Sequence, residues 1–233
     1  MKGFKELPST SDYIKEHVNE LENFDSVYTD TQTKGRGRTG HTWESEPGKN
    51  AAFSILIKDK SIVEKYNLIS IVAGIAVATY LETIGIDNVQ LKWPNDVLVN
   101  SKKICGILLE GNVPNYLIIG IGINVNQMKF DGFEATSIKN IIDIKLQPSL
   151  VAVDICNLVI DYINQVGKDL GSFVNDYNNF DYLLNKEITF TYKGETLKGI
   201  AHGINNDGSL KVLYNGENIN INSEEVSLVR TVK

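Results

Sequence analysis

Cysteine is scarce in this 233-residue chain. There are two, Cys105 and Cys156, and they form neither a metal-ligand spacing nor a disulfide framework. That argues against a disulfide-stapled secreted domain and a thiolate metal centre, and points to a reducing, cytoplasmic setting. Basic residues are not in excess either: the formal net charge is -6 and the sequence pI is about 5.2. Proteins that grip nucleic acid usually carry a basic footprint, so DNA is not expected as a partner. The N-terminus lacks the apolar core of a signal peptide. The longest apolar stretch, residues 68–81, is broken by Ser70, Gly74 and Thr79. It reads as too short and too mixed to span a bilayer, so no membrane association is expected. Repeats and low-complexity tracts are absent. What is left is an ordinary globular chain, long enough for one large domain or one domain with a small appendage.

The most informative segment that is present runs Gly35-Arg36-Gly37-Arg38-Thr39-Gly40-His41-Thr42-Trp43. Glycines let backbone N–H groups approach a ligand. Arginines add forks of donors that suit phosphate or carboxylate, and a tryptophan face can stack on a ring. A second group is Lys92-Trp93-Pro94-Asn95-Asp96, followed by Lys102-Lys103-Ile104-Cys105-Gly106-Ile107-Leu108-Leu109-Glu110. An acid and two lysines at one sheet end suit a magnesium-nucleotide and an anionic substrate. A third, Gly120-Ile121-Gly122-Ile123-Asn124-Val125-Asn126, ends an apolar strand in amides. Asn124 there is a candidate to read a base edge.

The pattern around these motifs is α+β. Ser9 to Asp12 supply caps for a first helix. Strands are expected at 26–31 and 51–57. Ser61 and Glu64 have capping-box spacing and open a long helix to about residue 84, ended by Gly85. Short β runs at 89–93, 97–99, 104–110 and 116–125 read as an antiparallel meander. A helical region runs from Pro148 to about residue 177 on apolar spacing. Past Leu184 come four short strands (188–192, 197–203, 210–214 and 218–221), with Asn206-Asp207-Gly208 and Asn215-Gly216 as turns. They suggest a small β-barrel of about fifty residues, a size that small domains reach.

Taken together and in this order, the motifs resemble those of the biotin protein ligases: the Gly-Arg-Gly-Arg-x-Gly loop, the Lys-Trp-Pro-Asn-Asp turn, the Lys-x-x-Gly-Ile-Leu strand and the Gly-x-Gly-Ile-Asn strand end. The resemblance covers nearly the whole chain. It implies a mixed, largely antiparallel sheet flanked by helices, as in class II synthetases, in a catalytic domain of residues 1–183. A C-terminal SH3-like barrel would span 184–233. It implies an enzyme that uses ATP and magnesium to convert biotin to biotinyl-5′-AMP, then passes biotin to a lysine of a biotin carboxyl carrier protein or domain. Since the ligase pattern starts at Ser9, no operator-binding winged helix is expected. A homodimer is compatible with exposed sheet edges.

By resemblance, Lys103, Arg38 and Asp96 are catalytic, and Asp96 is also the contact for magnesium. Ser9, Thr10, Gln32, Gly35, Arg36, Lys103 and Gly106 serve biotin, with Gly106 leaving space for its ring. Arg38, Trp43, Asn95, Asp96, Lys103 and Asn124 serve the nucleotide, with Trp43 stacking on adenine. The chain departs from the family pattern at Ser11, where Asn is usual, at Lys34, where a small residue is usual, and at His41, where arginine is usual. A neutral imidazole there removes a permanent charge. Simpler roles stand beside these: Ser9 and Thr10 as helix caps, Asp96 as a turn residue, Cys105 as core. Two other functions use the same parts, a lipoate or octanoate ligase and a non-catalytic biotin sensor. The first typically carries an Arg-Arg-x-x-Gly-Gly-Gly loop, which this sequence lacks.

Overall fold

Residues 116–124 set up the larger sheet by alternation, since successive side chains on a strand point to opposite faces. Leu117, Ile119, Ile121 and Ile123 are buried in the main core. Ile118 lies on the other face, in a small cluster with Ile14, Val27 and Leu56. Both faces are therefore covered, but the second only over part of its length.

The computed structural model describes residues 1–132, 134–166 and 170–232. The elements are β1 (Lys2–Leu7), α1 (Thr10–Glu16), β2 (Ser26–Gln32), β3 (Asn50–Ile57), α2 (Lys60–Val63), α3 (Tyr66–Thr83), β4 (Val89–Lys92), β5 (Asp96–Val99), β6 (Lys102–Asn112), β7 (Tyr116–Asn124), α4 (Ile138–Ile142), α5 (Pro148–Val166), α6 (Leu170–Phe180), β8 (Glu187–Tyr192), β9 (Glu195–Ile204), β10 (Leu210–Tyr214), β11 (Glu217–Ile221) and β12 (Val226–Thr231). The seven-stranded sheet has the order β1-β2-β3-β7-β6-β5-β4. Only β1 and β2 run parallel; the other pairs are antiparallel. Helices α3 and α5 pack on one face and α1 on the other.

The helix expected from a Ser61 cap is two helices. The Asp59 carboxylate accepts the Ser61 N–H at 2.9 Å and its hydroxyl at 2.7 Å, so Asp59 is the cap and Ser61 its partner. The short α2 then ends before α3 begins at Tyr66. Helix α3 is long and apolar enough to cross a membrane by composition, contrary to the reading of its interrupted core. In this fold 72% of it is buried, between the sheet and α5, which is the setting of a core helix. β1, α4 and β12 carry little periodic signal and were not expected. The helical region from Pro148 is described as α5 and α6; residues 167–169 lie outside the described residues.

The second sheet has the order β11-β10-β9-β8-β12 and is antiparallel throughout. Asn215 and Gly216 (φ 51° and 86°) make the expected two-residue turn, and Lys193 and Gly194 (φ 50° and 84°) make another. Both have the positive φ values that two-residue hairpins require. Described pairings form an open ladder, with β11 and β12 at its ends. This sheet is seated firmly on the first. Trp93 Nε1 donates to Gly208 O at 3.0 Å, and Ile188, Phe190 and Leu210 join the main core.

Candidate active site

A cavity forms where the α1 face of the larger sheet runs out of large side chains. Register aligns Leu56 with Ile118, Ser54 with Gly120 and Ala52 with Gly122 across β3 and β7. On the other side of β7, Gly106 faces Gly122 and Leu108 faces Gly120. Under α1 the row is large and apolar. Beyond it the row shrinks to alanine, serine and glycine, leaving a floor of nearly bare backbone. The cavity above has a volume of about 260 Å³, and its lining includes Thr10, Gln32, Trp43, Ser54, Asp96, Lys103 and Gly122.

Its two ends differ chemically. At the α1 end sits a ladder of neutral polar groups. Thr10 Oγ1 lies 2.7 Å from Ser54 Oγ and Ser11 Oγ lies 3.0 Å from it, while Gln32 Oε1 accepts the Thr10 N–H at 2.9 Å. Ser9 caps α1 by accepting the Asp12 N–H at 3.2 Å and also lines the cavity, so both expected roles of Ser9 are geometrically open. The opposite end is charged. Lys103 Nζ pairs with Asp96 Oδ1 at 2.6 Å. Lys92 and Arg230 line the same wall. Burial pushes the Lys92 ammonium below its usual range, a shift only partly offset by Asp96. Burial likewise lowers Arg38, with Asp96 again opposing. Two desolvated cations beside one carboxylate form a pocket primed for an anion.

The glycine-arginine segment folds back over this cavity as a narrow loop. Arg36 and Thr42 form an antiparallel bridge, Gly37 N donates to His41 O at 2.7 Å and Trp43 N to Gly35 O at 3.0 Å. At Gly35 a Cβ would lie 2.2 Å from Trp43 O, so only glycine closes the base of the loop. Arg38 reaches across to the second sheet, donating to Val226 O at 3.0 Å and to Ser223 O. The Trp43 indole lies flat on the Gly106–Gly122 floor. A Cβ at Gly122 would be 2.3 Å from Trp43 Cε2, and one at Gly106 would be 3.3 Å from Cζ3 and 3.2 Å from Lys103 Nζ. The space expected above Gly106 is thus covered here by the indole, whose Nε1 is buried without a hydrogen-bond partner.

Of the residues expected from sequence, Ser9, Thr10, Gln32, Arg36, Arg38, Trp43, Asn95, Asp96, Lys103 and Gly106 line one cavity. Gly35 supports the loop from behind. Asn124 shares the cavity face of β7 with Gly122 but is not among the residues that line the cavity. It is 5% exposed, its Oδ1 accepts from Asn50 Nδ2 at 3.0 Å and its Nδ2 donates to Thr136 O at 3.0 Å. Each end of its amide makes one hydrogen bond within the fold, and an amide oxygen or NH2 group can make two. Asn95 donates to Ile107 O at 2.8 Å, which ties the β4–β5 turn to β6 at the cavity edge. Sequence reading passed over Lys92, Ser54 and Arg230. Lys92 opens a motif whose other members drew attention, while Ser54 and Arg230 come from strands distant in the chain. Among the described residues no three His, Cys, Asp or Glu side chains cluster to cage a metal. Magnesium is commonly held by one or two carboxylates plus substrate phosphates, and Asp96 beside an anion pocket fits that donor set.

A glycine-floored cavity with a neutral polar end, a cationic end and an arginine loop above defines a ligase that handles a small organic acid and a nucleotide. The profile of the biotin/lipoate A/B protein ligase family matches residues 3–126, and the chain belongs to that family. The biotin protein ligase C-terminal domain profile matches residues 183–229. Among curated relatives, the bifunctional ligase/repressor BirA of Escherichia coli is 27% identical over 223 residues, covering 90% of this chain and 68% of that protein. The biotin–[acetyl-CoA-carboxylase] ligase of Mycobacterium tuberculosis is 35% identical over 100 residues, covering 41% of this chain and 37% of that one. Among solved structures, the biotin protein ligase from Aquifex aeolicus in complex with biotin and ATP superposes with a TM-score of 0.89 at 29% identity, covering 99% of this chain and 98% of that chain.

Proposed function

We propose that this chain is an ATP-dependent biotin–protein ligase. It activates biotin to biotinyl-5′-AMP and transfers it to a lysine of a biotin carboxyl carrier domain. The observation that carries this reading is the two-ended cavity. Thr10, Ser54 and Gln32 present the neutral donors and acceptors that a ureido edge needs. The alanine, serine and glycine row beside the Trp43 indole admits a flat bicycle, and Lys103, Lys92 and Arg38 stand at the end where a carboxylate and phosphates would meet.

In the first half-reaction a biotin carboxylate oxygen attacks the α-phosphorus and pyrophosphate leaves. Two anions must approach, so charge neutralisation supplies much of the rate. In this reading Lys103 holds the carboxylate and a phosphate oxygen together, while Lys92 and Arg38 offset the negative charge of the phosphates. Magnesium bound with the triphosphate supplies further neutralisation, and Asp96 is the carboxylate that would hold it. In the second half-reaction the carrier lysine amine attacks the mixed anhydride and AMP leaves. Asp96 accepts the amine proton in this reading; an Asp96→Asn variant that transfers normally from premade adenylate would remove that role. The folded loop limits access of water to the anhydride.

The catalytic unit is residues 1–183 and the C-terminal unit 184–233. The enzyme is cytoplasmic, where the free thiols of Cys105 and Cys156 stay reduced. It does not bind an operator, in keeping with the net charge of -6. Edge strands β1 and β4 offer surfaces for a homodimer, which sedimentation over a range of concentrations would detect. The test of the activity is exchange of pyrophosphate into ATP with biotin, lipoate or octanoate as the acid. Biotin alone should support exchange. Exchange with lipoate or octanoate instead would move the chain to the other branch of its family, and none with any acid would favour a sensor.

A further inference from the structure

The tip and the leg of the cavity loop are held by different chemistry. Arg38 at the tip is bound to backbone carbonyls of the second sheet. Arg36 on the leg is bound only to carboxylates. Its Nη1 and Nη2 donate to the two Asp12 oxygens, each at 2.6 Å, and Nη2 lies 3.3 Å from both oxygens of Glu110. Asp12 belongs to α1 and Glu110 to β6, so one guanidinium ties the loop to two elements at the cavity mouth. Lys15 Nζ holds Glu110 Oε1 at 2.8 Å and lies 3.9 Å from Asp12 Oδ1, which keeps both acids turned towards the arginine.

We infer that Asp12 and Glu110 are positioning residues that latch the loop shut through Arg36 and thereby set how long the adenylate stays bound. The inference rests on the adenylating reading above for its ligand, and on the ion-pair geometry alone for the latch. Three features support it. The pairing is bidentate, the arrangement that adds most geometric definition to an arginine–carboxylate contact. The Arg36 guanidinium holds the Asp12 carboxyl below its usual range, so the pair is fully charged at neutral pH. The side chains are about one-third exposed (38% for Arg36, 36% for Asp12), so the latch is weak enough to open during turnover and is open to screening by salt. With its fork committed to Asp12, Arg36 offers the ligand its backbone.

Two measurements test this on the full-length protein. In the ligand-free state, amide hydrogen exchange of residues 35–42 is compared between wild type, Asp12→Asn, Glu110→Gln and the double variant. The double variant should exchange about fivefold faster, as expected for losing a partly exposed ion-pair network, and 0.5 M salt should bring wild type towards it. Exchange in β3 and β7 should not change, and Asp12→Glu should restore slow loop exchange. Wild-type loop exchange in the double variant overturns the latch, whatever the activity. In the second measurement, adenylate formed from biotin and ATP is isolated on the enzyme and its release is followed after dilution. Release should quicken by about fivefold in Asp12→Asn while pyrophosphate exchange stays within about twofold of wild type. Unchanged release in all variants overturns the link to retention. A wild type that forms no adenylate overturns the functional reading alone, and the amide exchange still decides the latch.

Discussion

Replacing Gly122 by alanine tests the floor of the cavity with a single methyl group. The added Cβ would lie 2.3 Å from Trp43 Cε2 and 2.7 Å from Cζ2 and Nε1. Carbon atoms rest at about 3.5 Å or more, so the indole must retreat by more than about 1 Å. The strand cannot give instead, because Gly122 is paired on both sides, to Ala52 and Gly106. Trp43 is half-buried on a surface loop and yields more cheaply. Fold stability should therefore change by less than about 1 kcal/mol, since alanine suits a strand better than glycine does. Activity should suffer more. Misplacing a binding group by about 1 Å can cost on the order of 100-fold in rate, so biotin-dependent pyrophosphate exchange should fall 10- to 100-fold, by rough scaling from that figure, with melting temperature nearly unchanged. Iodide quenching gives a local readout. Trp93, the other tryptophan, is 2% exposed, so any gain in quenching reports Trp43. Normal kinetics with normal quenching would refute the claim that this glycine exists to seat the ring.

Lys103→Met removes the partner of Asp96 and the central cation of the anion end; exchange should drop by about 100- to 1000-fold, the usual cost of losing a charge-stabilising donor, with a far smaller effect on melting temperature. Trp93→Phe leaves Gly208 O without the indole N–H, which should cost about 1–3 kcal/mol and raise the KM for ATP if the second sheet's seating matters to the cavity wall. Asp181 supplies a pH test. Burial raises its carboxyl to about 6 and Oδ2 has no hydrogen-bond partner. A folded-state value above the unfolded one means the charged form opposes folding, so the penalty is absent below about pH 4, grows as pH rises to about 6, and is complete above it. Asp181→Asn should stabilise by about 1–3 kcal/mol at pH 7.5 and hardly at pH 4, seen as a melting-temperature gain at the higher pH only.

Local signals carried most of the fold. The alternation of residues 116–124, the Gly85 stop after α3 and the Asn215-Gly216 turn each act over a few residues, and each is visible in a short window. What escaped depends on pairing at a distance. β1 has an exposed, mixed pattern and becomes a strand because β2 is beside it, and β12 is fixed by β8. The site divides in the same way. Motif residues such as Lys103, Asp96 and Trp43 could be named because they sit in dense, chemically distinctive runs. Asn124 sat in such a run too, and its hydrogen bonds to Asn50 and Thr136 join segments that no short window connects. The mouth latch pairs Arg36 with Asp12 and Glu110, 24 and 74 residues away, a relation that no spacing rule could supply.

The central claim is that one adenylate lies in this cavity, with its acyl ring towards Thr10 and Ser54 and its phosphate beside Lys103. A crystal structure of the protein grown with biotin, ATP and magnesium tests this most directly. The account predicts density for biotinyl-5′-AMP in that orientation, with the ureido edge on Thr10, Ser54 or Gln32 and the phosphate within hydrogen-bond distance of Lys103 Nζ. Density for the adenylate in the reverse orientation, or outside this cavity, would contradict it.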